Sequence, residues 1–186
     1  MNYSFEEIKS RVEGLSTFKG WKDGYYLIAI RNAKDAFNKF DDIGVIVRVD
    51  NAPKELKRVS LTTNAGKNGL LNYKSYNKLG CAILKSNWMV YDSHRLGKHK
   101  GKYSAFRQDK PFPYFRDSDM DKLAEEVGKE YNDIIYANIH KAGKNSKLID
   151  GWSLACIVFN IEDEYNYWMN ELKGVSTVSL IILKSW

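Results

Sequence analysis

The amino-acid sequence predicts a mostly-β domain with two or three peripheral helices, and three observations carry that expectation. Strand-length runs rich in β-branched and aromatic residues recur from Tyr25 to Leu183. Stripes with helical period are confined to a few short stretches around Phe5, Met120 and Ile161. The 186 residues, 44% of them apolar, suffice for one well-formed core and are too few for two ordinary domains. A single domain over residues 1–186 is expected, with residues 1–20 as an N-terminal helix and lead-in.

Ser4-Phe5-Glu6-Glu7 reads as a capping box, and Phe5, Ile8, Val12 and Leu15 share one face of the helix it opens. Strands are expected at Tyr25 to Ile30, Ile43 to Val49 and Arg58 to Thr62, joined by Asn32 to Asp42 and by Asp50 to Pro53. Asn64 to Lys78 has no sustained period and reads as a long loop, suited to the border of a cleft. Short strands follow at Cys81 to Leu84, Trp88 to Tyr91, Tyr103 to Phe106 and Pro113 to Phe115. Ser118 or Asp119 caps a second expected helix, with Met120, Leu123, Ala124 and Val127 as its apolar stripe. Ile134 to His140 and Ser153 to Phe159 are apolar and strand-length, flanking a polar loop at Lys141 to Asp150. Ile161, Tyr165, Trp168, Met169 and Leu172 form a third helical stripe that stops at Gly174, and Thr177 to Leu183 closes the chain as a strand.

The net charge of +6 implies attraction to polyanions. Its densest stretch holds Arg95, Lys98, Lys100, Lys102, Arg107 and Lys110 among His94, His99, Tyr103 and Phe106. A solvated hairpin is the simplest account, a face for an anionic wall polymer the next. Nucleic acid is disfavoured as a partner, because no recognised helix, finger or aromatic platform accompanies the charge. No run approaches the roughly 18 apolar residues of a membrane span, and the N-terminus lacks the pattern of a signal peptide. Synthesis in the cytoplasm, with no membrane partner, is therefore expected.

Two cysteines, Cys81 and Cys156, are too few for a disulfide framework and read as free thiols. With His94, His99 and His140 they show no paired-ligand spacing, so neither a metal nor a cofactor is expected. The acidic run from Arg116 to Asp121 lacks the glycine of a calcium loop and reads as a helix start. The glycine pairs at Gly66 and Gly69 and at Gly97 and Gly101 lack the following Lys-Ser or Lys-Thr of a phosphate loop.

His140 and Cys156 stand at or near strand ends on either side of one loop. A thiol with pKa near ~8.5 is a poor nucleophile at neutral pH unless a base activates it, and imidazole is the usual one. The pair is thus a candidate dyad in which Cys156, but not Cys81, is expected to be an activated thiol. The string His140, twelve residues, Ser153-Leu154-Ala155-Cys156-Ile157 resembles the signature of the L,D-transpeptidase catalytic domain, which carries His-Gly and then Ser-His-Gly-Cys-Ile-Arg. Lys141, Leu154, Ala155 and Val158 depart from it. Ser60 to Gly66 resembles that family's Thr-Pro-x-Gly turn, and segments around Leu96 to Tyr103 and Tyr114 to Asp117 resemble uncharacterised phage proteins.

The resemblance implies an L,D-transpeptidase-like β-sandwich or barrel of a divergent, phage-encoded branch. It implies Cys156 as nucleophile, His140 as base and Ser153 in support, acting on peptidoglycan stem peptides or another cell-wall polymer. Lys98, His99, Lys100 and Trp152 are the expected substrate contacts. For a phage, hydrolysis is the more useful outcome than cross-linking, and association with other virion proteins accounts for wall access without a signal peptide. Two alternatives stay open: an inactive virion or interaction module with the same fold, and a cytoplasmic effector that binds a host protein or nucleic acid.

Overall fold

Eight strands close into a barrel in the computed structural model, which describes residues 2–34 and 36–186. The strands are β1 (Gly24–Arg31), β2 (Asp42–Asp50), β3 (Ala52–Thr62), β5 (Trp88–His99), β6 (Tyr103–Gln108), β9 (Ile139–Lys141), β10 (Ile157–Phe159) and β11 (Thr177–Lys184). Around the barrel they run β1-β11-β5-β6-β9-β10-β3-β2, and β2 returns to β1. The pairs β1/β11 and β9/β10 are parallel, and the other barrel pairs are antiparallel. Three further strands, β4 (Cys81–Leu84), β7 (Phe112–Asp117) and β8 (Tyr131–Asp133), form a small antiparallel sheet. The fold is mostly β with three helices, in accord with the expected class.

Strand β1 explains the arrangement of the core. Its Leu27 and Ala29 join an apolar cluster with Ile46, Leu61, Phe106, Ile139, Ile157, Phe159 and Leu180, while Tyr26, Ile28 and Ile30 join a second cluster on the other face. A strand buried on both faces reads as a continuous apolar run, as β1 does. The second cluster is covered by α1 (Phe5–Glu13), whose Ile8 and Val12 are fully buried. Full burial of each contributes about 1.5–3 kcal/mol. The expected capping box is present: Ser4 Oγ accepts from the Glu7 N–H, and the Glu7 carboxylate accepts from the Ser4 N–H. Helix α3 (Glu162–Glu171) places Trp168 against Phe106 and Phe159.

Five local expectations are corrected by the structure. The helix expected after Ser118 does not form: Met120 has a positive φ of 64°, and carboxylates of Asp117, Asp119 and Asp121 accept from the N–H groups of Glu125, Asp121 and Leu123. Short acidic side chains thus take the donors that a helix would have used. Ile134 to Ala137 is not strand either, since Tyr136 has φ 61° and Gln108 Oε1 accepts from the N–H groups of Ile135 and Ala137. Asn64 to Lys78 is not wholly loop, because it contains a short helix, α2 (Lys67–Leu71), and a single 3-10 turn, Tyr73–Ser75. Finally, β3 begins at Ala52 rather than Arg58, and β5 runs on to His99 past Asp92, whose φ of 48° accompanies a register shift opposite Val178 and Leu180.

Candidate functional site

The segment before β10 is fastened at two points. Ser153, fully buried, donates from Oγ to the Cys156 carbonyl at 2.8 Å, and its own carbonyl accepts from the Gly66 N–H at 3.0 Å. A Cβ on Gly66 would lie 2.4 Å from the Asp150 carbonyl oxygen, so glycine is needed for this close approach of two backbones. The turn leaves the N–H groups of Ala155 and Cys156 without a hydrogen bond among the described residues.

Cys156 opens onto a cavity of about 380 Å³, lined also by His99, Lys100, Arg116, Tyr136, Asn138 and Trp152. Its position follows from the β9/β10 ladder, where Ile157 pairs with Ile139 and Val158 with His140. One step back, the Ile157 N–H donates to the Asn138 carbonyl at 3.0 Å, which sets Cys156 beside Asn138. Asn138 and His140 share a face: the Asn138 amide meets His99 Nδ1 at 3.3 Å, and the His99 and His140 rings stack with centroids 3.9 Å apart. Thiol and imidazoles therefore gather on one side of the ladder.

His140 is held in one tautomer. Its Nδ1 lies 2.8 Å from the Lys141 carbonyl, which only accepts, so Nδ1 carries the proton. Tyr103 Oη donates to the same carbonyl at 3.0 Å and lies 3.2 Å from Nδ1. Nε2 is buried and makes no hydrogen bond. Burial, reinforced by His99 and Lys100 and opposed by the Lys141 and Trp152 carbonyls, pulls the His140 pKa down to about 4. The imidazole is neutral at pH 7, with its lone pair on Nε2.

The thiol departs from expectation. Burial pushes Cys156 up to about 11, against the opposing effects of the Asn138 N–H and the Lys100 charge. Its Sγ donates to the Tyr136 carbonyl at 3.7 Å, and no hydrogen bond joins it to either imidazole among the described residues. The expected activated thiolate is thus replaced by a neutral thiol beside a neutral imidazole. Cys81 is buried, donates to the Leu154 carbonyl at 3.6 Å and is pushed up to about 12 by burial and by Asp117.

Of the expected substrate contacts, His99, Lys100 and Trp152 line the cavity with Cys156. Lys98 does not: it is exposed and alternates with the buried His99 on β5, which points it away. Three lining aromatics, Tyr76, Tyr136 and Trp152, are 56%, 64% and 43% exposed and sit at the mouth. The basic hairpin is partly neutralised, with Arg95 paired to Asp109 at 3.0 Å and Lys110 donating to the Tyr91 carbonyl at 2.7 Å. Sequence reasoning missed Arg116 on β7 and Tyr103 on β6, which reach the site from other strands, and Asn138, which directly precedes β9. Carboxylates of Asp119, Asp121 and Glu125 lie within 4.8 Å of one another, at least partly exposed and away from the cavity lining. No described helix is long and apolar enough to cross a membrane.

No protein-family model, curated protein or solved structure matches this chain.

Proposed function

We propose that this chain is a cysteine-dependent acyl-transfer enzyme acting on peptides of the bacterial wall, with hydrolysis as its outcome. The observation that carries the reading is that His140, with its proton held on Nδ1, shares a face of the β9/β10 ladder with a cysteine that opens onto a ligand-sized cavity. The exposed aromatics at the mouth suit the sugar rings to which wall peptides are attached.

Because both groups are neutral at rest, the proton moves as the bond forms. The Cys156 thiol leaves the Tyr136 carbonyl and turns to the substrate. Nε2 then takes the thiol proton while sulfur attacks the carbonyl carbon. The free N–H groups of Ala155 and Cys156 offer donors for the oxyanion. The His140 imidazolium returns its proton to the leaving amine, and water, deprotonated by the same nitrogen, releases the acyl group. Tyr103 and the Lys141 carbonyl keep the ring in place throughout.

Purified peptidoglycan from several chemotypes tests the reading through release of new amino groups. Wild-type protein is expected to release them, Cys156→Ser to release none, and His140→Ala to be slower by about 10²–10⁴-fold. Equal release by Cys156→Ser overturns the proposal. A second reading, an inactive wall-binding module, is favoured by the thiol's hydrogen bond to Tyr136. It predicts retention on sacculi without turnover.

A further inference from the structure

The cavity beside Cys156 has two cationic side chains in its lining, Lys100 and Arg116, and no aspartate or glutamate. Neither cation forms an ion pair among the described residues. Arg116 enters from β7 of the small sheet, where it pairs with Ala82 of β4. Its Nη1 donates to the Gly80 carbonyl at 3.0 Å, and its guanidinium lies 4.9 Å over the Tyr114 ring. Those contacts orient the group but leave most of its five N–H donors unused, and Nε is buried without any partner.

An unpaired buried donor costs about 1–3 kcal/mol, and more when charged. A guanidinium held by ring and carbonyl, with donors to spare on a side chain that lines an acid-free cavity, is complementary to a planar anion that takes two parallel hydrogen bonds. Lys100 adds a second positive charge from the β5–β6 turn, where its φ of 48° marks a residue kept in an uncommon backbone conformation.

We propose that Arg116 and Lys100 form a carboxylate subsite, so that the acyl donor of this enzyme is a peptide bearing a free carboxylate within the same chamber as the scissile carbonyl. This rests on the acyl-transfer reading and narrows its substrate class. Arg116 grips the carboxylate through its fork, and Lys100 supplies charge from the mouth. A peptide amidated at that carboxylate binds poorly.

Two alkylating reagents of nearly the same size test the subsite. Iodoacetate carries a carboxylate and iodoacetamide does not, and each transfers its carbon to the Cys156 sulfur with loss of iodide. The ratio of the two rates cancels the thiolate fraction, so a variant that only alters the thiol pKa leaves it unchanged. For Cys156 the iodoacetate-to-iodoacetamide ratio should exceed that of a small free thiol by about tenfold, equivalent to about 1.4 kcal/mol. Arg116→Gln should return it to the small-thiol value, Arg116→Lys should keep part of it, and Lys100→Gln, on an exposed turn, should lower it several-fold. A ratio equal to that of the small thiol, one unmoved by both glutamine variants, or failure of Cys156 to react with either reagent overturns the subsite. A raised ratio that Arg116→Gln abolishes, found in a protein with no wall turnover, upholds the subsite and overturns the catalytic reading instead.

Discussion

Two imidazoles and a thiol share one side of the β9/β10 ladder, and burial pushes each towards its uncharged form. Alkylation of Cys156 by iodoacetamide should therefore be slow at neutral pH and rise with a midpoint near 11, above the free-thiol value, while Cys81, buried, should stay inert. A midpoint below 8.5, read from rate against pH with mass spectrometry of the labelled peptides, would contradict this. His94 carries a second pH dependence. It lies between Ser93 Oγ and the Ala137 carbonyl, each at 2.8 Å, and burial lowers its pKa to about 4. The unfolded chain gains a proton near pH 6.5 whereas the folded chain does not until about 4, so this stability is full above pH 6.5 and falls as pH drops through that window. The loss is about 3 kcal/mol. Buried Asp42, raised to about 6, acts with opposite sign, so the difference in slope between wild type and His94→Gln isolates the histidine in urea titrations from pH 7 to 4.

At the scale of elements, the apolar runs and helical stripes that were legible in the sequence are those whose partners supply ordinary ladders or a core face. Tyr25 to Ile30, Ile43 to Val49 and Thr177 to Leu183 all became strands within a residue or two of expectation. What was not legible depends on side chains replacing backbone partners. Gln108 takes the place of a neighbouring strand for Ile135 and Ala137, and nothing in Ile134 to Ala137 announces it. Replacing Gln108 by Ala should leave those two N–H groups unpaired, lowering the urea midpoint by the equivalent of about 1–3 kcal/mol for each group that stays dry. An unchanged midpoint would show that water enters. The site divides similarly: His140, Ser153, Trp152 and Cys156 lie on one stretch of chain and could be read together. Tyr103 comes from barrel strand β6 and Arg116 from β7 of the small sheet, which only the folded chain brings near, and each alone is an ordinary residue of a strand.

Across the whole molecule the barrel wall is uneven. β1 and β2 pair along their length, whereas β6 meets β9 through the single pair Phe106 and Ile139, and β9 and β10 are three residues each. The candidate site stands on this thin seam. Amide exchange should accordingly be faster at Ile139 to Lys141 and Ile157 to Phe159 than at Leu27 to Ile30 and Leu180 to Leu183, measured under native conditions. Uniform protection around the barrel would count against a seam that opens separately.

Tyr3 and Trp186 are clasped, their rings stacked at 3.9 Å, with Tyr3 Oη donating to the Trp186 carbonyl at 2.6 Å and accepting from its N–H at 3.0 Å. The first and last barrel strands are also neighbours, in parallel. The path of the chain is thus nearly a ring. A circularly permuted protein, with a glycine-rich linker of about six residues joining the present ends and new ends cut at Asp121–Lys122 in the exposed irregular segment, should fold to the same barrel. The permutation would leave β9 and β10 contiguous with their loop and the cavity intact. Where the polypeptide starts is, in that sense, independent of the architecture that puts His140 and Cys156 on one face of the β9/β10 ladder.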